Sequence, residues 1–158
     1  SRYGNPRLVY RTEPMTQPME VTGPVVLNLV AQSSAEDTDW FVTLMDEDSD
    51  GTSRTLTKGW LRASHREVDE KRSKPWQPWY AHAREVPLIP NQPETFAIEI
   101  ITTCNVFQPG HRVRLEIASC DSVADNFFWY HAAKALKARN TVLEGKSGSR
   151  LVLPVIPR

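Results

Sequence analysis

The sequence predicts an all-β sandwich carrying one short helix. Three observations lead there. Twelve prolines and seven glycines cut the 158 residues into short apolar runs, the punctuation of an all-β chain rather than of strand–helix units. Within those runs apolar and polar residues alternate with a period of two, the mark of half-buried strands. Only one segment has the composition of a helix. The clearest alternation follows the turn Pro109-Gly110: Val113, Leu115 and Ile117 fall on one side, Arg112, Arg114 and Glu116 on the other.

The same reading predicts strands at Arg7–Thr12, Glu20–Ser33, Asp39–Met45, Ser53–Thr57, Trp60–Glu67, Tyr80–Val86, Glu94–Thr102, His111–Ser119 and Arg150–Ile156. Val25, Leu27, Leu29 and Ala31 share a face of the second, and Phe96, Ile98 and Ile100 share a face of the seventh. Leu151, Leu153 and Val155 share a face of the last. Gly23-Pro24 interrupts the second run, which implies an edge position or a bulge. The helix is expected over Asp125–Arg139. Asp125 or Asn126 is its N-cap, and Lys134, Lys137 and Arg139 complement its C-terminal dipole.

At 158 residues the chain reads as one domain, residues 1–158, with no internal boundary. Nineteen basic residues balance nineteen acidic ones, so there is no electrostatic footprint for nucleic acid. No apolar run approaches the roughly 20 residues of a transmembrane helix. The first residue is Ser1 rather than Met, as in an excised or processed piece. Strand parity places Cys104 with Phe96, Ile98 and Ile100, and Cys120 with Arg114 and Glu116. That argues for two free thiols and a reducing compartment, the cytoplasm.

A catalytic set is not evident. The closest approach to a nucleophile elbow, Gly145-Lys146-Ser147-Gly148-Ser149, ends in serine where glycine is required. Histidines 65, 82, 111 and 131 show no metal-ligand spacing on one element, and no cofactor fingerprint is present. Asp46, Asp48, Asp50 and Gly51 match half of a calcium loop. Its closing glutamate is replaced by Thr57 and its ninth position by Arg54. The segment therefore reads as a hairpin tip turning at Asp50-Gly51. His111, opening a strand after a turn, is expected to hydrogen-bond the turn or a neighbouring strand.

The aromatic clusters are candidate interface residues. Trp76, Trp79 and Tyr80 lie in a proline-stiffened loop, and Phe127, Phe128, Trp129 and Tyr130 open the expected helix. Four successive helical aromatics cannot share one core-facing stripe. The clusters either pack on each other, form a docking surface that also drives self-association, or make a sugar platform.

Several motifs carry a resemblance. They are Leu8-Val9-Tyr10-Arg11-Thr12-Glu13-Pro14-Met15, Glu20-Val21-Thr22-Gly23-Pro24-Val25, Asp37-Thr38-Asp39-Trp40, Leu61-Arg62-Ala63 with Arg66-Glu67, Phe107-Gln108-Pro109-Gly110-His111-Arg112, and Ser149–Val155. In this order and spacing the chain resembles the C-terminal, non-catalytic domain of the X-Pro dipeptidyl-peptidase and cocaine-esterase family of serine hydrolases. The resemblance implies a jelly-roll sandwich of the galactose-binding type, packed against an α/β-hydrolase domain that holds the Ser-His-Asp triad. It also implies a bracing role that shapes the active-site entrance or the oligomer, without chemistry of its own. Asp37, Asp39, Arg62, Pro109, Gly110, His111 and Arg112 are then structural motif residues. From the mixed charges of two segments expected to be neighbours, Asp37 and Asp39 are expected to meet Arg62 or Arg66. A carbohydrate-binding module using exposed Trp and Tyr is the alternative.

Overall fold

The computed structural model describes residues 6–120, 138–145 and 148–157. Nine strands follow in chain order: β1 (Arg7–Arg11), β2 (Met19–Ser33), β3 (Asp39–Glu47), β4 (Ser53–Arg62), β5 (Glu94–Phe107), β6 (Arg112–Ala118), β7 (Asn140–Val142), β8 (Arg150–Val152) and β9 (Val155–Ile156). A 3-10 turn, Ala63–His65, ends β4. The pairings are antiparallel, in the order β1-β6-β3-β4-β5-β2-β7, with β8 and β9 also on β2.

This sheet has two halves, β1-β6-β3-β4 and β5-β2 with its short partners. They join at a single paired position, Gly59↔Ile100. The sheet curls there, so the apolar faces of the two halves meet. Val25, Leu27, Leu29, Phe96, Ile98 and Ile100 come from one half, and Trp40, Val42, Leu44, Val113, Leu115 and Ile117 from the other. Trp40 and Phe96 touch across the gap, with ring centroids 5.6 Å apart. The faces read from the period of two in β2, β6 and the first half of β5 are buried, whereas on the last run Leu151 and Leu153 are half-buried and Val155 is exposed.

Gly59 is what permits the join. A Cβ there would lie 2.3 Å from the Glu99 carbonyl oxygen and 2.9 Å from the Ile100 Cα. Both neighbours are backbone and cannot swing aside.

The outer face of the β1-β6-β3 half carries a ladder of charge. Arg7 meets Glu116 at 2.7 Å, Arg114 meets Glu116 at 2.5 Å and Glu47 at 2.8 Å, and Arg11 reaches Glu47 at 2.8 Å. Both carboxylates are nearly buried, at 8% and 9% side-chain exposure. Hydrogen bonds from Arg11 and then Arg114 hold Glu47 below the usual glutamate pKa. Burial pushes Glu116 up, but the bonds from Arg114 and Arg7 outweigh it and the net shift is downward. Arg114 and Glu116, which alternation assigned to the solvent side, are thus covered by their own ion pairs.

Several boundaries differ from the sequence expectation. Strand β4 is continuous through Gly59, because this glycine marks a close approach rather than a break. Trp60–Glu67 is therefore the end of β4 followed by the 3-10 turn. Tyr80–Val86 is no strand: only a lone bridge, Val68↔Tyr80, forms there, and His82 takes φ +46°. Arg150–Ile156 divides into β8 and β9 on either side of Pro154, which has no N–H to donate. Strand β7 was not anticipated.

Gly23-Pro24 marks a bulge and not an edge, since β2 has partners on both sides. Gly23 pairs Thr103 and Val25 pairs Ile100, so the extra residue sits on β5. The bulge reverses the parity of β5 beyond Ile100. Asn105 and Phe107 turn inward, and Cys104 faces outward, against the expectation that it shares the face of Ile100. Neither cysteine is in a disulfide. Of the expected helix Asp125–Arg139, only Ala138 and Arg139 are described, and neither is helical. The rest lies outside the described residues.

Two outcomes follow. Gly59→Ala is expected to cost about 2–3 kcal/mol, seen as a loss of about 4–12 °C in melting temperature; an unchanged melting curve would remove the corner from the account. The lowered glutamate pKa values set a pH dependence. Their stabilisation is complete above the unfolded glutamate pKa of about 4.3 and is lost as pH falls below it. Chemical denaturation between pH 6 and 3 should show this decline, and it should be shallower in Glu116→Gln.

Candidate functional site

A concavity lies on the outer face at the corner. It is a groove of about 770 Å³, walled by Trp60, Arg62, His65, Tyr80, His82 and Ile101 among others. The corner places it: Leu61 and Ile100 point into the core, so their neighbours Trp60 and Ile101 point out. They remain 43% and 56% exposed.

The far wall is the loop after the 3-10 turn, tied down at several points. The Tyr80 hydroxyl donates to the Ala97 carbonyl and accepts from the Glu99 N–H at 3.1 Å. Burial pushes its pKa up to about 12, so it stays protonated. Arg66 donates to the carbonyls of Ala63 and Val86. His65 and His82 face each other, with their Nδ1 atoms 3.5 Å apart.

The floor rests on the Asp-Thr-Asp motif. Asp39, 2% exposed, accepts from Arg62 Nε at 2.9 Å and Nη2 at 3.3 Å. The pair expected from the mixed charges of these two segments forms. Asp37 takes a different partner from either arginine: it accepts the Ser64 N–H and Oγ, each at 2.9 Å, and so fixes the 3-10 turn.

The Pro-Gly-His-Arg block lies at the other end of the sandwich and does not reach this groove. There it clasps the Thr-Glu-Pro-Met block. The Gly110 N–H donates to the Met15 carbonyl at 2.8 Å, and the Met15 N–H to the His111 carbonyl at 2.7 Å. Arg112 donates to the Thr12 carbonyl at 2.8 Å. Pro109 and Gly110, the latter at φ +86°, make the turn. His111 Nδ1 bonds Asp46 at 2.8 Å, the neighbouring-strand role foreseen for it. Asp46 also faces Arg54 at 3.6 Å, and the Asp48 carboxylate accepts the Asp50 and Thr52 N–H groups. These acidic residues are engaged in building the hairpin tip.

Of the aromatic candidates, Trp76 and Trp79 are half-exposed, at 50% and 47%. The Arg72 guanidinium lies 3.8 Å over the Trp79 ring. Tyr80 is largely turned inward and packs against the core. Phe127, Phe128, Trp129 and Tyr130 lie outside the described residues. Trp60 and Ile101 escaped the sequence reading as site residues, and His65 and His82 were weighed there only for ligand spacing along one element. They lie on separate segments that only the corner and the pinned loop bring together. The one available signal was a tryptophan at an outward position of β4, beside Gly59.

Among the described residues, no helix is long and apolar enough to cross a membrane. Asp39→Ala is expected to cost about 1.5–3 kcal/mol, the range for hydrogen bonds to charged groups. Thermal unfolding checks this, and a change within about 0.5 kcal/mol, the scatter of surface substitutions, would contradict it.

Comparison with known proteins identifies the family. Residues 2–150 match the model of the X-Pro dipeptidyl-peptidase C-terminal non-catalytic domain. A candidate serine esterase of Mycobacterium bovis is 35% identical over 120 residues, covering 73% of this chain and 19% of its own length. Cocaine esterase of a Rhodococcus species is 37% identical over 112 residues, covering 71% and 17%. The chain thus spans about a fifth of the length of these relatives. A CocE/NonD family hydrolase from Staphylococcus aureus superposes with a TM-score of 0.84 at 22% identity, over 95% of this chain and 30% of that one. With the motif blocks, the curled sheet and this match over nearly the whole sequence, the chain belongs to the family of X-Pro dipeptidyl-peptidase C-terminal non-catalytic domains.

Proposed function

We propose that this domain docks on an α/β-hydrolase catalytic domain, braces it and shapes the entrance to its active site. The reaction of the parent would be hydrolysis of an ester or an X-Pro peptide through a serine nucleophile outside this sequence. The observation that carries the reading is a set of large apolar side chains held outward on rigid supports. Trp60 and Ile101 stand on paired strands at the corner, and Trp76 and Trp79 on a proline-stiffened loop. A sandwich whose core is already filled gains nothing from exposing them, and outward aromatics are the usual anchors of an interface. A rigid partner of this kind can hold catalytic loops in position without supplying a reacting group.

The sugar-platform alternative is disfavoured at Trp79, because Arg72 covers one face of the ring that a sugar would stack on. Stacked arginine and tryptophan suit a protein interface better. The unbridged Cys104, exposed on β5, fits a reducing compartment such as the cytoplasm. Without its partner, the chain would self-associate through the same tryptophans.

The test is hydrolysis of p-nitrophenyl esters and X-Pro p-nitroanilides, by this chain alone and by the full-length parent. Activity is expected in the parent only, and Trp60→Ala in the parent is expected to lower it. Serine-inhibitor-sensitive hydrolysis by the isolated chain would overturn the reading.

A further inference from the structure

We infer that His65 and His82 form an open two-histidine site for a divalent transition metal of the zinc class. The inference is independent of what packs on the groove. Distance is the first argument. The two Nδ1 atoms are 3.5 Å apart, well beyond the roughly 2.9–3.0 Å usual for an N–H donor and its acceptor. Two nitrogens bound to one zinc at about 2.0–2.1 Å with tetrahedral angles lie about 3.4 Å apart. The separation suits a shared metal better than a shared proton.

A carboxylate behind one ring is the second argument. The Glu85 carboxylate sits 3.9 Å from His65 Nε2, the side on which metal-binding histidines meet an acidic group.

Backbone geometry is the third. His82 holds φ +46°, a left-handed conformation uncommon for a residue with a side chain. Its flanks are fixed: the Ala81 N–H donates to Glu67 at 3.0 Å and the Val86 N–H to Ser64 at 2.8 Å. Tyr80 packs on its ring, with centroids 5.6 Å apart. Strain held by its surroundings in this way is common at binding sites. Here it holds one imidazole against the other.

Among the described residues no third histidine, cysteine or carboxylate completes the set. Arg62 is turned to Asp39, and the Tyr80 hydroxyl is spent on the backbone. The remaining two positions of a tetrahedral ion would be filled from the groove, by water or by a ligand that enters it.

The test is titration of the full chain with zinc chloride, by calorimetry and by NMR of the histidine ring nitrogens. One zinc per chain is expected, with the Nδ1 signals of His65 and His82 shifting together. His65→Ala and His82→Gly should each weaken binding at least about tenfold. Glycine adopts φ +46° without strain, so His82→Gly removes the ligand and keeps the loop. Absence of saturable binding would overturn the proposal. So would His82→Gly binding like the parent sequence, or ring signals that respond to pH but not to zinc.

Discussion

The close approach of β4 to β5 at Gly59 is the constraint on which the rest of the structure depends. Two half-sheets share one hydrogen-bonded corner, and no side chain fits between their backbones there. Because the corner is tight, the sheet curls and its apolar faces meet, leaving Trp40 against Phe96 at the centre. Because it is tight, β4 and β5 also present their outward residues side by side. The same contact that closes the core opens the groove on the other face.

The two ends of the sandwich are held by different chemistry. At one end backbone hydrogen bonds between Met15, Gly110 and His111 clasp the segment after β1 to the turn before β6, although nearly a hundred residues separate them. At the other, Asp39 and Asp37 use carboxylates to secure Arg62 and the 3-10 turn beneath the groove. The arginine–glutamate ladder joins β1, β6 and β3 laterally. It can do so at low solvent exposure only because each carboxylate has two guanidinium partners. Losing one partner would leave a desolvated charge, so such ladders resist piecemeal change.

Much of the fold was legible because alternation with a period of two is a local signal. It identified the buried faces of β2, β5 and β6 from a few residues each. It failed where a single residue changed the phase. The bulge on β5 turned Cys104 outward, and the signal that announced it, Gly23-Pro24, sat on the opposite strand. Gly59 misled in a different way, since a glycine needed for close approach looks in sequence like a strand end. The Tyr80–Val86 segment has the composition of a strand but spends its hydrogen bonds on Glu67, Ser64 and Ala97 instead. The motif blocks led to the family, and the mixed charges of two segments to the Asp39–Arg62 pair. The groove was hidden because its walls come from distant segments, and adjacency across a corner has no one-dimensional signature. Trp76 and Trp79 could be read as interface candidates, but whether they packed on the other aromatic cluster or faced outward stayed open.

On the proposed reading, the filled sandwich with an aromatic-walled groove at its corner holds another domain in place. The most direct measurement is hydrogen–deuterium exchange of this sequence alone and within the full-length parent that the proposal implies. The account predicts added protection in the parent across the segments bearing Trp60 and Trp76 to His82, with the β1–β6 face unchanged. Equal exchange at those segments in both settings, or protection confined to the charge ladder, would contradict it.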